Sequence, residues 1–158
     1  MTQERKQEFT LKITQANKTQ MITILYEITI DYLEEAMDEI SIGKKEESLN
    51  SLMKAQNCLD ELIRSVNLHT DLRKTLHKLY IFSKKELIAS GASFSLHRIW
   101  RVKQNFRALH EAYLELEKKD DSEPMMGNTQ KVYAGLTYGK NSLNEDVTAV
   151  SMNRGLMA

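Results

Sequence analysis

Apolar residues recur at steps of three and four along most of this chain, the spacing that gathers side chains on one side of an α-helix. The first run is Met21, Leu25, Ile28, Tyr32, Leu33, Ala36 and Ile40. Asn17, with Gln20 three residues on, supplies an N-cap and its capping-box partner, and Gly43 ends the run. Ile22, Ile24, Thr29 and Ile30 widen the stripe beyond one amphipathic face, so this helix is expected to be central or to have a second apolar contact, the central place being the simpler account. A second helix carries Leu49, Leu52, Met53, Gln56, Leu59, Leu62, Ile63 and Val66, with a turn at Asn67 to Thr70. The third shows Leu72, Leu76, Leu79, Tyr80, Ser83 and Leu87 and is closed by Ser90 and Gly91. The fourth, capped by Ser93 or Ser95, steps through Ile99, Val102, Phe106, Leu109, Tyr113 and Leu116, a seam for antiparallel packing. Four helices of roughly 20–25 residues joined by short turns predict an all-α fold, an antiparallel up-down four-helix bundle over residues 17–119.

The flanks have other patterns. In residues 1–16, Phe9, Leu11 and Ile13 stand at alternate positions, which predicts an extended N-terminal arm lying on the bundle. Residues 120–158 hold Pro124 and four of the six glycines, which predicts a largely irregular C-terminal tail. Within the tail, Val132, Tyr133, Leu136 and Tyr138 are expected either to dock on an exposed apolar strip of the bundle or to belong to a loose end.

At 158 residues the chain has the length for one core. Its 22 Lys and Arg balance its 22 Asp and Glu, so no overall field recommends nucleic acid or an anionic membrane as a partner. The signs are segregated, however. From Lys18 to Ile42 one lysine faces six acids, whereas Arg73 to Arg107 holds nine basic residues and one acid, Glu86. Cys58 is alone, which excludes an internal disulfide, suits a reducing cytoplasm and predicts a small buried apolar role. MTQERKQEF is not followed by an apolar run, and no stretch nears the ~18 apolar residues of a membrane span, so neither a signal peptide nor membrane insertion is expected.

Chemistry-bearing clusters are weak. His69, His77, His97 and His110 follow no ligand spacing, so no metal site is expected and solvated surface positions are. Glu34, Glu35, Asp38 and Glu39 share the polar side of one helix with no histidine in register, the pattern of a solvated face. Nothing assembles a nucleophile, a base and an orienting group, so no enzyme and no cofactor is expected. RIWRVKQNFR, Arg98 to Arg107, mixes basic and aromatic residues as a single-strand RNA contact does; a solvated face or a surface for an acidic partner are the other readings.

ANKTQMITILYEITIDYLEEA, KAQNCLDEL and LHKLYIFSKKEL, in this order and with matching gaps, resemble the flagellar secretion chaperone family FliS over about residues 9–119. The matching features are the Leu-Tyr pairs Leu25-Tyr26 and Leu79-Tyr80, and Lys54, Ala55, Gln56, Glu61 and Leu62 on the second helix. The chain departs from the family pattern at Lys18 in place of Pro, Ile28 in place of Gly and Tyr113 in place of Trp. The resemblance implies a non-enzymatic, cytoplasmic chaperone that binds the disordered C-terminal segment of flagellin, holds it unpolymerised and delivers it to the flagellar export apparatus. It also implies an arm, through Phe9 and Ile13, that folds over part of the client groove. Candidates for that groove are Met21, Leu25, Tyr26, Met53, Gln56, Glu61, Leu79 and Tyr80. For Tyr26 and Tyr80 the alternative is a boundary position with the ring buried and the hydroxyl bonded to a neighbour.

Overall fold

The computed structural model describes residues 1–125, which form five α-helices: α1 (Gln3–Gln15), α2 (Lys18–Ser41), α3 (Lys45–Ser65), α4 (Asp71–Ser93) and α5 (Leu96–Glu117). The boundaries follow local chemistry. Asn17 accepts a hydrogen bond from the Gln20 amide while the Gln20 side chain accepts from the Asn17 amide, each at 2.9 Å, so two orphan donors at the start of α2 are satisfied reciprocally. Gly43, at φ +80°, makes the left-handed turn after α2. Thr70 caps α4 by accepting from the Arg73 amide at 3.2 Å.

Helices α2 to α5 form the antiparallel bundle expected from the pattern. α2 packs on α3 and α5, α4 closes the ring against the same two, and α1 packs on α2. The seam of α5 holds in part: Ile99, Val102 and Phe106 are buried, Leu109 and Tyr113 are half-buried, and Leu116 is exposed. Cys58 is fully buried, and burial pushes its thiol well above the ordinary value, so it serves as a small apolar side chain.

Two expectations are corrected. The N-terminal arm lies on the bundle as a helix, not as an extended strip. Thr2 caps it by accepting from the Arg5 amide, Phe9 and Ile13 are buried one turn apart, and Leu11 between them is 61% exposed. Alternation at three positions fits a strand, but the pair at i and i+4 fits a helix, and only the partner surface decides. Gly91 does not close α4, which runs on to Ser93 and ends at Phe94 in the left-handed region, φ 54°. Gly91 instead permits close packing on α3, since a Cβ there would lie 3.3 Å from Cδ2 of Leu49.

After α5 the chain folds back across the α1–α2 junction. Asn17 Nδ2 donates to the Asp120 carbonyl at 3.2 Å, the Thr19 hydroxyl donates to the Asp120 carboxylate, and the Met125 amide donates to the Ala16 carbonyl at 2.8 Å. The start of the C-terminal segment is thereby tied to the junction between α1 and α2.

Candidate functional site

The groove candidates divide among three places. Tyr26 and Tyr80 are interior: their rings are buried and their hydroxyls pair at 2.5 Å. Phe106 and Tyr113 of α5 meet the Tyr26 ring edge-on at 5.5 and 5.2 Å between centroids, so one aromatic cluster joins α2, α4 and α5. Burial, with Tyr80 adjacent, raises the Tyr26 phenol well above its ordinary value, and burial pushes Tyr80 up to about 12. Leu25 is interior as well.

Met53 lies on an open apolar strip between α3 and α4. The Asp60–Lys84 pair at 2.5 Å and the approach of Gly91 to Leu49 mark the register of these two helices. That register brings Leu49 and Met53, one turn apart on α3, level with Ile88 of α4, and all three are exposed. Gln56 and Leu79 are half-buried, and Glu61 pairs with Arg64 on its own helix.

Met21 belongs to the third place, the face of α2 that turns towards α1. Met21, Ile24, Ile28, Asp31 and Glu35 follow one another at steps of three and four and so share one side of α2. Asp31 accepts from Arg5 Nε at 2.7 Å, and the α-amine of Met1 meets Glu35. Lys12 Nζ reaches Glu27 at 2.9 Å, fixing the other end of α1. Arg5 and Lys12 also lie over the Phe9 ring, at 4.3 and 5.5 Å from its centroid, so the cations that hold the acids of α2 also cover the buried aromatic anchor. The second apolar contact that the broad stripe of α2 called for is thus α1, while α3 and α5 occupy the remaining sides.

The acids taken for a solvated face are largely engaged. Glu34 binds Arg107 at 2.8 Å and Lys103 at 3.5 Å, Glu39 accepts from Ser51, and Asp38 alone of the four is exposed. The same pairs divide the basic strip: Arg98 joins Glu86 at 3.2 Å, and Arg101 is left exposed on the outer face. Trp100 is exposed and stacks on His97, whereas His110 is half-buried against Glu27 at 3.1 Å. Among the described residues no group of His, Cys, Asp or Glu is arranged to hold a metal ion, and no helix is long and apolar enough to cross a membrane. Val132, Tyr133, Leu136 and Tyr138 lie outside the described residues.

The described residues thus form a helical bundle with a short helix laid over one face of α2 and exposed apolar side chains on α3 and α4. The family model for flagellar protein FliS matches residues 1–120, all five helices and the first residues beyond them. The chain belongs to the FliS family. FliS proteins are non-enzymatic chaperones of flagellar export, and flagellin is the partner that membership implies. No curated protein matches the chain. Of the positions singled out by the sequence resemblance, Ile28 is buried on α2, while Lys18 and Tyr113 line one cavity at the end of the bundle.

Proposed function

We propose that this FliS-family chain is a cytoplasmic export chaperone that binds the disordered C-terminal segment of flagellin on apolar surface, prevents its premature polymerisation and passes it to the secretion apparatus. The observation that carries the reading is the way α1 sits. It is 13 residues long, packs on α2, and buries Phe9 and Ile13 there behind a rim of ion pairs. Each buried side chain contributes about 1.5–3 kcal/mol, and the exposed pairs add about 0–1 kcal/mol each. A client that offers longer apolar contact outcompetes so small an anchor. Its own ordering costs about 2–5 kcal/mol, which contacts spread along a helix length offset.

In this reading α1 leaves and uncovers Met21, Ile24 and Ile28, and the strip of Leu49, Met53 and Ile88 extends the apolar area. Met21 and Met53 supply side chains that adapt to a partner's shape. Leu25, Tyr26 and Tyr80 brace the surface from within, and Gln56, Glu61 and Leu79 border it. Co-elution of the full chain with a flagellin C-terminal peptide tests the proposal. A complex is expected at micromolar concentration, tightened when Phe9→Ala loosens α1; no complex at that concentration overturns it.

A further inference from the structure

The end of the bundle where α2 and α4 begin and α3 and α5 finish contains a cavity of about 160 Å³, well above the ~15 Å³ that a single water requires. Its polar edge combines two cations with the neutral Thr19, Ser65 and Asn67, and Thr19 holds the Asp120 carboxylate beside it. Lys18, the first residue of α2, and Arg73, in the first turn of α4, both line it, and no acid does. Arg73 is held in place by a hydrogen bond to the side chain of Asn67, another lining residue, and among the described residues neither cation has an acidic partner across the cavity. The N-terminal ends of α2 and α4 and the C-terminal ends of α3 and α5 meet at this mouth, so the helix dipoles largely offset and the two side-chain cations set the sign. Its walls are apolar and aromatic: Ile22, Val66 and Tyr113.

The chemistry that fits is an anion attached directly to an apolar body. We infer that this cavity receives the terminal carboxylate of the bound client, with the last side chain against Ile22, Val66 and Tyr113 and the carboxylate between Lys18 and Arg73. An internal Asp or Glu fits less well, because its chain must both enter and leave, and the buried Tyr80 gives the cavity an interior side. A chain end carries carboxylate and side chain on one Cα and needs only one way in. The inference rests on the proposed client and adds where its end is held.

The experiment compares a synthetic flagellin C-terminal peptide ending in a free acid with the same peptide ending in an amide, titrated calorimetrically into the full chain. The amide is expected to bind about tenfold more weakly, the worth of one charge-assisted contact. In the double variant Lys18→Gln, Arg73→Gln the two peptides are expected to bind alike, with the helical circular-dichroism melt retained. The variant Lys78→Gln, on the exposed face of α4 and outside the cavity, is expected to keep the difference. Equal binding of acid and amide to the unmodified chain overturns the cavity assignment and leaves the chaperone reading standing. Loss of the difference in Lys78→Gln also overturns it, since the effect is then one of general charge. Binding of neither peptide overturns both.

Discussion

Gly43 and Gly91 are expected to respond to the same substitution in opposite directions. Gly43 has φ +80° and open space where a Cβ would stand, so Gly43→Ala meets only backbone strain and is expected to lower stability by about 1 kcal/mol. Gly91 lies inside α4, and the nearest atom to an added Cβ is the end of the exposed, movable Leu49 side chain. Gly91→Ala gains up to about 1 kcal/mol of helix propensity and is expected to raise stability once Leu49 shifts. Urea midpoints of the two variants check the pair. The tyrosines set an alkaline limit. A phenol whose folded value is raised contributes stability that is complete below its unfolded value near 10 and lost as pH rises through the folded value, about 12 for Tyr80. Helical circular dichroism is therefore expected to hold to about pH 10 and to fall between there and 12. Asp120 sets an acid limit in the mirror sense. Hydrogen bonds from Ser122 and then Thr19 lower its carboxyl to about 2, so its hold on the α1–α2 junction is present above the usual carboxylate range and lost as pH falls through about 2. A carbon-detected NMR titration of Asp120 is expected to show its midpoint there, and a midpoint near the ordinary 3.8 excludes the clasp.

At the scale of elements, α1 is the part expected to move independently. Truncating a core Phe usually costs about 3–5 kcal/mol, but here the loss is limited to what holds α1 on α2. Phe9→Ala is therefore expected to abolish amide-exchange protection in α1 while α2 to α5 keep theirs; equal loss in all five helices argues that α1 is integral to the core. Helices α2 to α5 were legible because each repeats a strong period and carries its own punctuation, as with Asn17 and Gln20. The helical state of α1 was not, because Phe9, Leu11 and Ile13 together fit the strand period, Phe9 and Ile13 alone fit the helical one, and the exposure of Leu11 depends on a partner distant in sequence. The surfaces were legible only in part. Leu-Tyr pairs sit at the edge of a stripe, where interior and groove positions share one spacing, and the fully buried Tyr26 was inseparable from an exposed one. Lys18, Asn67 and Arg73 come from three separate helix ends, so no spacing along the chain announces the cavity they line.

Across the whole molecule, the segregation of charge serves assembly of the bundle. The acids of α2 bind cations of α1 on one side and of α5 on the other, through Asp31, Glu27 and Glu34. Binding of a flagellin peptide to apolar surface is accordingly expected to lose no more than the roughly tenfold of its one carboxylate contact as salt is raised, whereas an RNA complex on Arg98 to Arg107 loses affinity steeply. Three of the four cations in that strip, Arg98, Lys103 and Arg107, are already paired within the chain. A titration at two ionic strengths decides between the two readings.

The pairing of α2 with α5 also has a consequence for how the chain is made. Glu34 and its partner Arg107 are 73 residues apart, and the α5 residue reaches the ribosome exit last. At about 5–20 residues per second, several seconds pass between synthesis of the central helix and synthesis of the helix that closes it. During that interval α1 is the one neighbour of α2 already complete, and α3 follows. The short N-terminal helix therefore screens one side of the most apolar element in the nascent chain before the helix that closes the bundle has been made.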